Sequence, residues 1–330
     1  MKYIENNSND PHYNLALEEY VFKNLDIDED YVILWINEPS IIVGKNQNTI
    51  EEINMDFVRK NNINVVRRIT GGGAVYHDFG NLNFSIITKS GPLEKIDFKK
   101  YNVPIVNALK RIGIQCELSG RNDITINGKK FSGIAQSIIK GRVLNHGTLL
   151  FDSQLDVLTK ALNVRAEKIE SKGIKSVRKR VTNISPYMKE KITIFKFREI
   201  LLNYIFEAEG QPVEIYSLTE DEKNGIQKLA DEKYNTWDWN FGRSPEFNFK
   251  NYKKFDAGSV EVSLHAVDGK IQNIKIYGDF FGTEDIEKLE NMLIGLKYDE
   301  YEVKERLKDV EINKFLGNIS KDEFISCIFD

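Results

Sequence analysis

The sequence predicts a mixed α and β protein in which strands are joined mainly by tight turns. Three observations predict it. Strand-like runs meet across Asn127-Gly128 and Asp268-Gly269, both two-residue hairpin signals. Three consecutive glycines, Gly71 to Gly73, stand between two strand-like runs and do not lead into a helix. Helical patterns occupy the start of the chain, residues 190–234 and the stretch beyond Thr283.

Taken in order, "NDPHYNLALEEYVFKNL" starts a helix with Asp10 as cap and Pro11 in the first turn. Its stripe is Tyr13, Leu17, Tyr20, Val21 and Leu25. "YVILWI" and "SIIVG" are short strands, and Asn37-Glu38-Pro39 between them predicts a hairpin. "INVVRRI" is a strand feeding the glycine loop. "NLNFSIIT" alternates Leu82, Phe84 and Ile86 with Asn81, Asn83 and Ser85, the pattern of a half-buried strand. "NTWDWNFGRSPEF", residues 235–247, interrupts the charged helical stretch and reads as a joint between domains. After the Asp268-Gly269 hairpin, Thr283 is expected to cap a helix with Glu284 and Asp285 in its first turn. Ser320 and Glu323 form a capping box for the last helix, where Cys327 shares a core stripe with Phe324 and Ile328. No internal repeat or low-complexity segment is present.

The 330 residues suffice for one large domain or two, and 41 % hydrophobic content is enough for a substantial core. A net charge of −4 argues against a dedicated nucleic-acid binder. The opening "MKYIENNSND" resembles neither a signal nor a transit peptide, and no apolar run approaches the roughly 18 residues of a membrane span. Cys116 and Cys327 suggest no disulfide framework or zinc site, and the four histidines lack close ligand spacing. The expectation is a cytoplasmic, monomeric protein that binds neither nucleic acid nor membrane.

Chemistry concentrates in two stretches and a charge run. "RRITGGGAVYHD" sets Arg67 and Arg68 beside backbone that has no side chains to pack. It lacks the Gly-Lys-Ser/Thr ending of a Walker loop and the helix start of a dinucleotide fingerprint. In "GRNDITINGKKFSGIAQ", counting from the turn sets Thr125 opposite Lys130, Ile124 opposite Phe131 and Asp123 opposite Ser132. Ile124, Ile126 and Phe131 then share an apolar face. Asp123, Thr125, Lys130 and Ser132 share the other, so the lysine on the polar face is Lys130 and not Lys129. A solvated Lys–Asp pair is the plain alternative. "SKGIKSVRKRVTNIS" packs Lys172, Lys175, Arg178, Lys179 and Arg180 together, either a solvated face or a basic loop for an anion.

These residues carry a resemblance to adenylating lipoate–protein ligases. The matching pieces are "LWINEPSIIVGKNQN", "RRITGGGAVYHDFGNLNFSI", "SGRNDITINGKKFSGIAQ", "NHGTLLFD", "KGIKSVRKRVTNI" and "WDWNFGRSPEF". They cover nearly the whole chain in the family's order. The resemblance implies the α+β fold of biotin/lipoyl ligases, related to class II synthetase cores: a mixed-sheet catalytic domain over 1–247 and a small α+β accessory domain over 248–330. It implies that ATP, with Mg²⁺, converts lipoate to lipoyl-AMP and pyrophosphate. The lipoyl group then passes to a lysine of an apo lipoyl domain, in E2 subunits of 2-oxoacid dehydrogenases or the glycine cleavage H protein. Lys130 matches the lysine touching carboxylate and phosphate. Arg68, Gly72, Gly73, Ala74, Val75, Tyr76, Asn83, Ser132 and His146 fall at ATP- or lipoyl-AMP-binding positions. Lys172, Lys175 and Arg178 match a loop over the intermediate. Trp35 lies near the site, and His77 is there as a structural hydrogen-bonder or a substrate contact. Asp123 either holds Mg²⁺ or orients Lys130, with the metal favoured.

A thioester-forming octanoyl or lipoyl transferase would need a thiolate in the site, and neither cysteine lies in a matching loop. A biotin ligase should carry a glycine–arginine-rich loop that is missing. A non-catalytic lipoyl-domain binder would have no use for both Lys130 and the triglycine run.

Overall fold

A computed structural model describes residues 1–91, 96–120, 122–162, 181–208, 212–242, 249–267 and 269–329. Ten strands of the first 150 residues form two sheets. These are β1 (Lys2–Ile4), β2 (Tyr31–Trp35), β3 (Ser40–Val43), β4 (Asn64–Arg67), β5 (Val75–His77), β6 (Asn81–Lys89), β7 (Glu117–Ser119), β8 (Asp123–Ile126), β9 (Lys129–Ile139) and β10 (Arg142–Leu150). The larger sheet runs β1-β2-β6-β10-β9-β8-β7, and the smaller runs β4-β3-β5.

The expected hairpin at Asn37–Pro39 does not form. β2 pairs with β1 and β6, whereas β3 pairs with β4 and β5. The turn residues hand the chain from one sheet to the other. Glu38 N–H donates to Asn9 O, and Pro39 O accepts from Asn64 N–H, so each end is held by a different neighbour. β4 and β5 flank β3, which confirms that the glycines join two strands.

The Pro11–Asn24 helix fills the angle between the sheets. Asp10 caps it, accepting from His12 N–H at 2.8 Å. The helix touches β2, β6 and β10 on one side and β4 on the other. It is therefore buried well beyond one stripe: Leu17 and Val21 are in the core as expected, but so are Leu15, Ala16 and Phe22. The opposite face of the large sheet packs on the Phe98–Arg111 and Ile194–Ala208 helices through Phe84, Phe131, Leu109 and Phe197.

Arg67, 1 % exposed, ties the joint segment to this body. Its guanidinium donates to Gly44 O, Lys45 O, Gln47 O, Thr49 Oγ1 and Trp239 O. Trp239 Nε1–H returns to Arg67 O at 2.8 Å.

From Phe249 onward, β11 (Phe249–Phe255), β12 (Gly258–Val267) and β13 (Lys270–Gly278) make an antiparallel sheet. Val267 faces Lys270, as the Asp268-Gly269 signal predicts. The Ile286–Leu293, Glu300–Leu307 and Lys321–Phe329 helices complete a core built of Val260, Val262, Ile276, Leu289, Val303 and Phe324. Cys327 lies within it, fully buried. The Ser320–Glu323 capping box is present in both directions, at 2.7 and 3.2 Å. The cap at Thr283 is not: Asp285 caps that helix, and Thr283 and Glu284 instead donate their N–H groups to Lys314 O. Helical geometry begins two residues later than the acidic run suggests.

Candidate active site

β6 is buried on both faces, contrary to the half-buried reading, and its polar face floors a cleft. In register, Ile33, Ser85, His146 and Ala135 form one row across β2, β6, β10 and β9. Trp35, Asn83 and Thr148 form the next, and Gly133 N–H extends it by donating to Thr148 Oγ1 at 3.2 Å. Paired residues on neighbouring strands share a face, so these side chains look the same way. The glycine loop and β5 roof them. The cleft is open to solvent, and with its mouth it comprises about 600 Å³ of empty space. Leu15, Trp35, Ile42, Ile134 and Ala135 give it an apolar part; Arg68, His77, Asn83, Asn122, Lys130 and Thr148 give it a polar one.

Arg68 lies at the root of the loop and is 5 % exposed. Four of its hydrogen bonds stay within the chain: Nε to Thr70 Oγ1, Nη1 to Ile42 O, and Nη2 to Gly71 O and Gly73 O, at 2.6 to 3.1 Å. Burial lowers its pKa to about 10 against the opposing pull of Glu18, so it stays cationic near neutrality. The guanidinium thus shapes the loop and places positive charge beneath the cleft.

The three glycines have different reasons. A methyl group on Gly71 would fall 2.2 Å from Phe280 O, and one on Gly72 would fall 2.9 Å from Arg68 Nη2 and 3.1 Å from Phe281 Cζ. Gly72 also has a φ of 92°, which side-chain-bearing residues rarely adopt. Gly73 alone has open space. Gly71 admits the C-terminal unit, Gly72 fits between Arg68 and Phe281 in a conformation that favours glycine, and Gly72 and Gly73 both border the cleft.

A buried polar chain runs behind the floor. Trp35 Nε1–H donates to Ser85 Oγ at 2.9 Å, and Ser85 donates to Glu18 Oε1. His146 Nδ1 meets the same oxygen at 2.7 Å, and His146 Nε2 meets Thr70 Oγ1 at 2.8 Å. Because Thr70 already accepts from Arg68, its own proton is free for His146 Nε2. His77 is 3 % exposed, with Asn37 Nδ2 donating to its Nδ1 at 3.1 Å. That bond leaves the ring hydrogen on Nε2, which has no partner. Burial first, then Arg68 and His146, push the His77 pKa down to about 3. Asn83 Nδ2 and Glu18 Oε2 also lack partners. Buried orphans of this kind mark places where a ligand or water completes the bonding.

Lys130 projects into the cleft beside Gly133 and pairs with Asp123 Oδ1 at 2.7 Å. The side chain is 37 % exposed, so this lysine is reachable from solvent. Val181 bridges to Lys130, and Thr182 N–H donates to Lys130 O at 2.9 Å. The register near the turn is as counted, Ile126 to Lys129 and Thr125 to Lys130. A bulge then intervenes. Ile124 faces Ser132 and Asp123 faces Gly133, with Phe131 the extra residue.

Most of the expected site residues therefore converge: Trp35, Arg68, Gly72, Gly73, Ala74, Val75, His77, Asn83, Lys130 and His146 all line the cleft. Three do not. Tyr76 points the other way from its neighbours on β5, into the Ile41–Val43–Val58 cluster, where burial and Asp78 raise its pKa to about 12. Ser132 is fully buried opposite Ile124, and the bulge removes it from the Lys130 face. Asp123 is bound to Lys130 and is not among the lining residues. Lys172, Lys175 and Arg178 lie outside the described residues. Glu18 escaped the sequence reading because an acid on a helix reads as a solvated face. Gly133 escaped because only the bulge turns it inward.

The chain matches the lipoyl protein ligase A/B catalytic domain over residues 10–206 and the bacterial lipoate protein ligase C-terminus over residues 244–328. It is 49 % identical to the lipoate-protein ligase LplJ of Bacillus subtilis, over all of both chains. A crystal structure of LipL1 of P. falciparum in complex with lipoate superposes with a TM-score of 0.79 at 26 % identity, covering 98 % of this chain and 97 % of that one. A lipoate-protein ligase A bound with ATP gives 0.64 at 29 % identity, over 73 % of this chain and 98 % of that one. With both family models matched and 49 % identity to a relative over its whole length, the chain belongs to the lipoate–protein ligase family.

Proposed function

We propose that this protein ligates lipoate to apo lipoyl domains at the expense of ATP. The lipoate carboxylate attacks the α-phosphorus of ATP and pyrophosphate leaves, giving lipoyl-AMP. A lysine amine of the acceptor domain then attacks the acyl carbonyl, AMP leaves, and an amide forms. The observation that carries this reading is Lys130. It is a solvent-reachable ammonium in the polar part of a cleft whose other part is apolar and which is bordered by glycine backbone.

The first step sets one anion against another, so its obstacle is charge repulsion and its remedy is fixed positive charge. Lys130 supplies that charge to the carboxylate and the α-phosphate, and in the second step to the departing AMP. Asp123 holds the ammonium in place. Arg68 adds field from beneath and keeps the loop amides presented. The apolar part, around Trp35 and Ile42, suits the lipoyl tail.

Among the described residues no three His, Cys, Asp or Glu side chains gather to hold a metal. Asp123 is engaged with Lys130. Mg²⁺ thus fits as a companion of the ATP phosphates, neutralising their charge, with water and at most Asp123 from the protein. E2 subunits and the glycine cleavage H protein are the acceptors the sequence suggests. Residues 1–247 are read as the catalytic domain and 248–330 as the accessory one. No described helix is long and apolar enough to cross a membrane. Both cysteines are buried thiols outside the cleft, with pKa values raised to about 11, which disfavours a thioester route and suits a cytoplasmic setting.

The test is pyrophosphate release with ATP, Mg²⁺ and lipoate. Wild type and Lys129→Ala should release it, and Lys130→Ala should lose at least about two orders of magnitude, the scale of one strong electrostatic contact. No release from wild type, even with an apo lipoyl domain present, would sink the proposal.

A further inference from the structure

We propose that Phe281, in the C-terminal unit, is a positioning residue for ATP. It acts through the glycine loop and never touches the reacting atoms. The inference rests on the reading above that this loop lies against the nucleotide.

The connection after β13 meets both loops that border the cleft. Gly278 N–H donates to Asn46 O at 2.8 Å, and Lys45 pairs with Asp285 at 3.6 Å. Between these anchors the chain drives Phe280 O and the Phe281 ring against Gly71 and Gly72, at the separations already given. The ring is 7 % exposed, and its other side meets Phe98 edge-on, with centroids 5.1 Å apart at 69°. Asp279 braces the connection by accepting from Ser259 N–H at 2.6 Å. The loop is thus pinned from two sides: Arg68 holds the Gly71 and Gly73 carbonyls from within, and a rigid ring blocks outward movement at Gly72.

Gly71 is crowded by the C-terminal unit alone, with Phe280 O at 2.2 Å and the Phe281 ring at 3.3 Å from its Cβ position. Gly72 is held by its φ of 92° and by Arg68 Nη2 on one side, and the Phe281 ring closes the other at 3.1 Å. The ring therefore touches both glycines, and Gly72 borders the cleft. The conformation of the loop, and so the presentation of its amides to a nucleotide, depends on a residue more than 200 positions away in the chain.

The test measures KM for ATP and for lipoate, by pyrophosphate release, in the full chain carrying Phe281→Ala, Phe281→Leu, Phe281→Tyr or Gly73→Ala. Phe281→Ala should raise KM for ATP about tenfold, the scale of a slightly misplaced substrate-positioning group, and leave KM for lipoate within about twofold. Phe281→Leu keeps part of the bulk and should fall between. Phe281→Tyr adds a hydroxyl at Cζ, the atom facing Gly72, and should displace the loop and raise KM for ATP while keeping the ring in its core. The tyrosine variant decides the matter if the alanine variant does not fold. Gly73→Ala, with room for its methyl, reports on the loop itself. If Gly73→Ala raises KM for ATP and no Phe281 variant does, the positioning role is overturned and the nucleotide reading stands. If Gly73→Ala also changes nothing, the nucleotide reading of the loop fails.

Discussion

The two faces of the seven-stranded sheet both bury polar side chains, and they do so in opposite ways. On the face toward the Phe98–Arg111 helix, Asn102, Asn145 and Gln136 bond one another at 3.0 to 3.2 Å. Gln136 also clasps the backbone of Asp97 in both directions. No side-chain atom of these three is left over. On the other face, Asn83 Nδ2 is buried without a partner, and so are Glu18 Oε2 on the helix packed there and His77 Nε2 on β5 of the smaller sheet. A satisfied buried network fixes a helix onto a sheet. An unsatisfied one, over a cleft, waits for something to complete it. The same residue type, asparagine, serves both purposes one strand apart, so burial and polarity alone do not distinguish structure from site.

That contrast can be broken most forcefully on the satisfied side. Asn145→Ala strips partners from Asn102 and Gln136 and should cost about 2–4 kcal/mol in denaturant unfolding. Its KM values should stay near wild type; a changed KM with unchanged stability would reverse the assignment of the two faces. The mirror-image variant, Asn83→Ala, removes a donor that has no protein partner and one acceptor, Oδ1, that takes a bond from Asn81 Nδ2 at 2.9 Å. It should raise KM for one small substrate about tenfold and lower stability by about 1–2 kcal/mol, less than Asn145→Ala.

The smallest effect is a pH dependence. The folded-state pKa of His77, about 3, lies below its ordinary value of 6.5. The unfolded chain therefore takes up a proton below about pH 6.5 that the folded chain refuses, and stability falls as pH falls. From about pH 7 to about pH 5.5 the loss should be about 1 kcal/mol. His77→Gln should lack that share of the slope. Equal slopes in the two proteins would show the ring is not held neutral.

How far the sequence could be read depended on how local each signal was. Lys130 followed from the Asn127-Gly128 turn because only Lys129 separates them and no bulge intervenes. Ser132 did not, because the bulge lies between. Tyr76 is different: strand alternation alone sets it opposite Val75 and His77, and matching a whole motif obscured that. The Asn37–Pro39 turn is real, but a turn does not say which strands pair. Asp285 displaced Thr283 as cap because Thr283 and Glu284 were already bonded to Lys314, a partner 30 residues away in sequence. The crowding of Gly71 and the Phe281 contact at Gly72 were invisible for the same reason, since their source lies in the C-terminal unit.

The bulge at Phe131 also settles a question of odd and even. In an uninterrupted strand, residues 130 and 133 differ by an odd number and would face opposite ways. The hairpin turn dictates where Lys130 points, and the sheet dictates where Gly133 and Ala135 point. One surplus residue reconciles the two, so a lysine aimed by the turn and a floor laid by the sheet open onto the same space. Strand length is therefore part of how the cleft is built: deleting Phe131 would spare every cleft-lining side chain named above and still turn the lysine away from the cleft.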